Sequence, residues 1–325
     1  MTVTVLTTAD DYLHPVGSES NFNESMYFHF HDPAHRIGGF LRLANRPNEG
    51  RGERTVCLYM PGGGVAFGFA RPAFADATTF RAGGMAVECI EPFQRLRVSF
   101  DGSVNILSDP SAMVDPKAAL SSTPVADCTV FLDLTALAPA YAEAFDGDGE
   151  SFAPNHYEQL MQITGTIRVG ESTHPVGGFG LRDHSWGPRS WQAPWFYRWV
   201  HGSSAGLGFM GALFGDEDGG QRTGGFVWDG ERLHQVHDVT VSTVRDHELQ
   251  PQTVTVELTA PDHRWLFTGA AQTSVPLRHR RPDGSNATRI AEACMRWTAA
   301  DGKRIHGMAE YLDQIVDGVP VGLRV

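Results

Sequence analysis

The stretch GFGLRDHSWGPRSWQAPWFYRW, Gly178 to Trp199, carries four of the chain's seven tryptophans together with an Asp-His pair, three arginines and two prolines. An extended LRDHSW places Arg182, His184 and Trp186 on one face and Asp183 and Ser185 on the other. Asp183 is then turned away from the His184 ring and is expected to pair with Arg182, Arg189 or turn amides. Histidine is the side chain most readily tuned to move a proton near neutral pH. Indole faces stabilise a nearby cation by roughly 0.5–2 kcal/mol each. An acid beside an aromatic wall suits protonation of an alkene, followed by water addition, double-bond migration or ring closure. The same wall would hold any apolar ligand, and a Trp-rich turn between β domains is also a common interface core.

Other residues offer related chemistry. Glu24 and Tyr27 in NESMYF, and Glu310 and Tyr311 in AEYL, read as carboxylate-phenol pairs inside apolar strands. Burial there would push a carboxyl toward its protonated form, as a general acid requires. For Glu310 an ion pair with a strand-borne arginine is the alternative, because buried charges are usually paired. In HFHDPAH (29–35), His29 and His31 share a strand face, and with Asp32 or Glu24 they outline a 2-His-1-carboxylate set. HQVHD (234–238) is similar in kind. Neither set is completed by a second cluster, so no metal and no cofactor is assigned. LYMPGGGVAFGF (58–69) lacks the strand-GxGxxG-helix context of a nucleotide loop and reads as a hairpin turn. No GxSxG elbow is present.

The elements that must position these groups are short alternating runs separated by Gly, Pro, Asn and Asp. CTVFLDL (128–134), QITGTIRV (162–169), GGFVW (224–228), TVTVEL (253–258) and RWLFTG (264–269) read as strands. VSFDGSVNIL (98–107) and VWDGERLH (227–234) carry the Asp-Gly signal of a hairpin, and RHRRPDG (278–284) reads as a solvated hairpin turn. PAYAEAF (139–145) offers one or two helical turns, and AFDGDGESFAPN (144–155) an exposed loop. The 36 glycines and 19 prolines fit many turns. The expected architecture is all-β, antiparallel sandwich or barrel.

The 325 residues suit two domains, and 41% hydrophobic residues suffice for real cores. The net charge of −12 argues against a nucleic-acid partner. No run is long and apolar enough for a transmembrane helix, and no signal peptide is expected from MTVTVLTTADDYLHP. Cys57, Cys89, Cys128 and Cys294 form no CxxC pair and read as small buried hydrophobes. A cytoplasmic location is expected. No recognisable interface pattern fixes an oligomeric state.

GTIRVGESTHPVGGFGLRDHSWGPRSW resembles the signature of the AttH-like and carotenoid 1,2-hydratase (hydroxyneurosporene synthase) superfamily. NFNESMYFHFHDP (21–33), IEPFQRLRVSFDG (90–102) and GMAEYLD (307–313) resemble its N-terminal, middle and closing strands. The resemblance implies two packed lipocalin-like β-barrel domains, hydration of carotenoid double bonds in characterised members, cyclases among related folds, and no metal. Its His-x-Trp falls on His184 and Trp186. The Tyr-x-Asp acid of the carotenoid hydratases has no counterpart in GLGFMGALFGDEDG (206–219), where Phe209 and Gly211 or Phe214 and Asp216 are nearest and Asp216 sits in a turn. Another acid must then serve.

The reading that follows has lipocalin-like domains at 1–187 and 188–325, with a cavity at their junction. Its function is cofactor-independent hydration or dehydration, isomerisation or cyclisation of an unsaturated apolar, isoprenoid-like or polycyclic substrate. His184, Trp186, Asp183 and Glu24 are the catalytic candidates. His184 would be acid/base or orient the acid, Trp186 with Trp191 or Trp195 would stabilise cationic character, Asp183 and Arg189 would hold the turn and tune His184, and Glu24 would be the reserve proton donor. Tyr27, Arg189, Trp191, Trp195, Tyr197, Glu310 and Tyr311 are the substrate-binding candidates. The alternative is a non-catalytic lipid or terpenoid carrier, and a third possibility is a scaffold with both barrels filled by side chains.

Overall fold

The computed structural model describes residues 5–73, 78–142, 152, 154–280 and 287–323. Most of the 144–155 loop, the end of PAYAEAF and positions 281–284 of RHRRPDG lie outside the described residues. The chain divides into two compact units. The first comprises Met1–Asp109, Leu120–Asp146 and Ala153–Arg189; the second comprises Pro110–Ala119, Gly147–Phe152 and Ser190–Val325. Both are built on large antiparallel sheets, so the protein is all-β.

The first unit contains β1 (Phe22–Asp32), β2 (Ile37–Arg46), β3 (Arg51–Tyr59), β4 (Val65–Ala70), β5 (Arg81–Ala82), β6 (Met85–Glu91), β7 (Arg95–Leu107), β8 (Val125–Ala136), β9 (Tyr141–Ala142), β10 (Asn155–Val169) and β11 (Ser172–Pro188). Their order in the sheet is β4-β3-β2-β1-β11-β10-β8-β7-β6-β5, with β9 on β10, and β4 also pairs with the end of β7. That last pairing closes eight strands into a ring, which removes their free edges. Alternation decides which side chains enter the core: Cys128, Val130, Leu132 and Leu134 of CTVFLDL are all buried and join Met26, Phe28, Met161 and Ile163 in one cluster. The glycine-rich hairpin is as expected, with Tyr59 opposite Val65 and Gly63 at φ +91° in the turn.

The second unit contains β12 (Phe196–Ser204), β13 (Leu207–Gly215), β14 (Gln221–Trp228), β15 (Leu233–Val236), β16 (Asp238–Arg245), β17 (Pro251–Ala260), β18 (His263–Arg280), β19 (Ala287–Ala299), β20 (Arg304–Val316) and β21 (Val319–Pro320). The order is β15-β14-β13-β12-β20-β19-β18-β17-β16, with β21 on β20. Its core gathers Val200, Phe209, Val254, Val256, Leu258 and Trp297. The hairpin at 227–234 is present, with Trp228 opposite Leu233.

Two expectations on elements are corrected. VSFDGSVNIL is one continuous strand, β7, in which Gly102 pairs with Cys128. The glycine serves packing there: a Cβ on Gly102 would lie 2.7 Å from the tip of the Phe100 ring. Tyr141 and Ala142 of PAYAEAF form a short strand on β10, and the α-helix of the chain's described residues is instead Pro116–Ser122. Among the described residues, no helix is long and apolar enough to cross a membrane. Cys57, Cys128 and Cys294 are buried and Cys89 is half-buried, and none of them is in a disulfide among the described residues.

Candidate functional site

Strand β11 lies between β1 and β10, and register fixes what surrounds His184. Met26 and Tyr157 are its cross-strand partners, Glu24 and Asn155 are opposite Trp186, and Phe28 and Gln159 are opposite Arg182. Arg182, His184 and Trp186 therefore share a face, as alternation requires, and it is the face that carries the hydrophobic core. The His184 and Trp186 rings are 5.2 Å apart. At this end of the sheet the core gives way to a hydrogen-bonded chain.

Its centre is His184. Nε2 is 3.0 Å from Glu24 Oε1, and Nδ1 is 3.2 Å from the Tyr157 hydroxyl. The Tyr157 hydroxyl donates to Asp11 Oδ1 at 2.6 Å. Arg182 binds Asp11 with both terminal nitrogens and donates from Nε to Gln159 Oε1 at 3.0 Å. On the other side, Glu24 Oε1 is 2.8 Å from His14 Nδ1, and the His14 backbone N–H donates to both carboxylate oxygens. His14 Nε2 reaches Asp10 Oδ1 at 3.2 Å. Asp10 and Asp11 come from a 3-10 helix, Thr8–Asp11, whose start is pinned by the Thr7 N–H donating to Asp10 at 2.6 Å. The His14 ring stacks on Trp186, 3.7 Å between centroids and 9° between planes.

Hydrogen count limits the states of this chain. His184 Nε2 faces a carboxylate and must carry a hydrogen for the contact to be favourable. Its Nδ1 then either accepts the phenol hydrogen, as a neutral ring, or donates to the phenol oxygen, as an imidazolium, while the phenol serves Asp11. The two states differ by one proton, so Tyr157 is a switching point. Burial alone would raise Glu24 and Asp11. Hydrogen bonds and charge from His14 and His184 nevertheless hold Glu24 below the usual carboxylate range, and Arg182 does the same for Asp11. Glu24 is thus kept ionised, where the apolar strand had suggested a protonated acid. Burial opposes the charge on His14, but Glu24 and Asp10 outweigh it and raise its pKa. Burial and Asp11 push the Tyr157 phenol well up.

Asp183 is on the opposite face, and its partner is one the sequence did not show. His156 Nε2 is 2.5 Å from Asp183 Oδ2 and 3.2 Å from Glu158 Oε1. Burial works against the imidazolium, yet Asp183 and then Glu158 drive its pKa up to about 10. Arg189 donates to the Ser25 hydroxyl at 3.0 Å and adds to the positive charge that keeps Asp183 ionised. Tyr27 also faces this side and packs on Phe40; it is not paired with Glu24, because residues three apart on a strand face opposite ways. The same parity separates Glu24 from His29 and His31.

The remaining candidates lie in the second unit. Trp191 packs on Phe152 and His279, and its carbonyl accepts from Gln314 at 3.0 Å; the Trp195 carbonyl accepts from the Gln314 N–H at 3.0 Å. Tyr197 donates its hydroxyl to Glu310. Glu310 stands directly opposite Glu292 on the neighbouring strand. Burial, then the charge of Glu310 and a hydrogen bond to it, hold Glu292 well above the usual carboxylate range. Tyr311 points the other way, to the Thr243 hydroxyl at 2.7 Å, with Arg198 over its ring. Glu310 and Tyr311 are therefore no more a pair than Glu24 and Tyr27. Asp216 lies in a turn and binds Arg222 at 2.8 Å.

Among the described residues, two sets have donor atoms close enough for one cation: His14, Glu24 and His184, and His156, Glu158 and Asp183. His29 and His31 belong to neither. In each set the histidine nitrogens and carboxylate oxygens lie within hydrogen-bonding distance of one another. A groove of about 490 Å³, lined chiefly by apolar residues such as Leu6, Phe93, Leu137 and Pro139, has Gln159 in its wall. It shares Gln159 and Phe93 with the surroundings of Arg182 and Tyr157. Sequence reasoning missed Asp10, Asp11, His14, Tyr157 and Gln159. The only available signal was the concentration of titratable residues in ADDYLHP (9–15) and NHYEQL (155–160).

The chain matches the family DUF7064, a domain of unknown function, over residues 7–315, and belongs to that family. No curated protein matches it in sequence. Solved structures share its fold. A protein assigned as AttH from Nitrosomonas europaea is 12% identical, with 90% of this chain and 92% of that chain covered and a TM-score of 0.61. CghA, crystallised with Sch210972, is 10% identical, with 90% and 88% covered and a TM-score of 0.56. Kievitone hydratase from Nectria haematococca is 9% identical, with 98% and 96% covered and a TM-score of 0.55. The fold is thus the AttH-like, two-unit, lipocalin-like one that the RDHSWG stretch resembled.

Proposed function

We propose that this DUF7064 protein is a hydratase- or dehydratase-type enzyme acting on an unsaturated apolar substrate, with His184 and Glu24 as its proton-transferring pair. The observation that carries the reading is the His184–Glu24 contact itself: a buried imidazole held between an ionised carboxylate and a phenol. General acid–base transfer by a positioned imidazole contributes about 10²–10⁴-fold to such reactions. The Trp186 indole, 5.2 Å from the His184 ring between centroids, is the aromatic group beside the pair suited to a carbocation-like state. Kievitone hydratase supports the reaction type through its fold alone. Asp183 acts from the other face, as a counter-ion to His156. Isomerisation and cyclisation need the same proton and are variants of this reading. A carrier of apolar ligands is the second reading, favoured by the largely apolar 490 Å³ groove.

The test is to incubate the protein and a His184→Ala variant with terpenoids, polyenes, steroids and prenylated phenols, and to follow substrate mass. Gain or loss of one water, absent in the variant, supports the proposal. Tight binding with no turnover across the panel replaces it with the carrier reading.

A further inference from the structure

Side-chain exposure along the chain rises in one direction. His184 is 0% exposed, Glu24 2%, His14 15% and Asp10 20%. At the other end Asp11 is 0% exposed and is closed over by Arg182 and the Phe93 N–H. Successive gaps from Tyr157 outward are 3.2, 3.0, 2.8 and 3.2 Å, each within proton-transfer reach. Among the described residues, the polar contacts of the Glu24 carboxylate are all with His14 and His184. We infer that His14 is the port through which the buried His184–Glu24 pair exchanges its proton with solvent, with Asp10 orienting the port.

The step balances on the imidazole. Neutral His14, carrying hydrogen on Nδ1, takes a proton from water at Nε2. The Nδ1–H bond then breaks as an O–H bond forms at Glu24 Oε1, and that O–H bond breaks in turn as the hydrogen passes to Nε2 of a neutral His184 that carries its hydrogen on Nδ1, leaving Glu24 ionised and His184 an imidazolium. The stack on Trp186 keeps the ring from turning away between the two transfers. Other ionisable groups at the pair are Asp11, Tyr157 and Arg182 on the same face, Cys89 and Tyr12 near Asp11, and Asp183, His156, Glu158 and Arg189 behind the sheet. Each is either locked in an ion pair or set away from Glu24. This deepens the proposed function and rests on it only for its catalytic consequence.

The experiment needs no substrate. With ¹⁵N-labelled histidine, the ring N–H of His184, identified by its loss in His184→Gln, is followed for exchange with solvent. His14→Gln is expected to slow that exchange at least tenfold while the backbone amides of β1 and β11 keep their protection. Unchanged or faster exchange with protection intact overturns the proposal. If His14→Gln loosens the strands, the wild-type pH profile decides. A rate that follows the titration of His14 supports the port, and one that rises tenfold per pH unit, as for a site opening to base, refutes it. A protein that lacks turnover but shows the expected profile refutes the proposed function and leaves the port standing.

Discussion

Replacing Asp11 by Asn tests whether the hydrogen-bonded chain is part of the fold or only rests on it. Asp11 and Arg182 are both buried, and the substitution leaves the Arg182 guanidinium charged and without its counter-ion. Breaking one side of a buried ion pair costs about 3–5 kcal/mol. The two hydrogen bonds that Gln159 Oε1 retains to Arg182, at 3.0 and 2.6 Å, place the expected loss near the lower end. For a unit of this size that lower-end loss should bring the midpoint of thermal unfolding down by roughly 6–12 °C. Asp10→Asn, at a partly exposed site, should cost under about 1 kcal/mol. The double variant Asp11→Asn with Arg182→Met removes both charges and should recover most of the loss. Urea unfolding followed by tryptophan fluorescence gives all the values. Asp11→Asn within about 1 kcal/mol of wild type, or a double variant no better than the single, would refute the reasoning.

Further outcomes follow from the ionisation states. His156 has a folded pKa of about 10, so its contribution is complete below the ordinary histidine value and is lost as pH rises through about 10. Stability should decline over that range by a few kcal/mol at most, on the order set by the linkage relation, and His156→Gln should abolish the decline. Glu24 is lowered and His14 raised, so their ion pair is fullest from above the ordinary carboxylate value of 4.5 to the ordinary histidine value of 6.5, weakening as pH falls through the folded Glu24 pKa or rises through that of His14. A pH series of thermal midpoints on His14→Gln should lose that maximum. Glu292 holds a proton that the unfolded chain releases above the ordinary value, so Glu292→Gln should gain on wild type as pH rises from 4.5. Because the groups of each histidine-carboxylate set lie within hydrogen-bonding distance of one another, chelators should leave the thermal midpoint unchanged.

Much of the architecture is legible in the sequence because burial on one face writes itself as alternation: Val254, Val256 and Leu258 announce both the strand and its inner face. The same rule puts His184 with Trp186 and turns Asp183 away. It also forbids the Glu24–Tyr27 and Glu310–Tyr311 pairs, where nearness in sequence is misleading. What alternation does not supply is the neighbour. Glu24 meets His184 across 160 residues, and Asp11 meets Arg182 across 171, through the insertion of β11 between β1 and β10. Asp11 ends a single 3-10 turn and His14 lies in the irregular stretch after it, too short for a period to be read. Asp101-Gly102 carries a turn signal because the Phe100 ring needs a glycine, a packing demand that sequence chemistry does not separate from a turn.

The most direct test of the central claim is transfer of solvent deuterium to substrate carbon, with Glu24→Gln and His184→Gln compared against Asp216→Asn, whose carboxylate is held by Arg222 in a turn. The account predicts incorporation by wild type and Asp216→Asn and a loss of at least a hundredfold in the other two, within the range of general acid–base catalysis. Incorporation by Glu24→Gln and His184→Gln at the wild-type rate, with the fold intact, would contradict it.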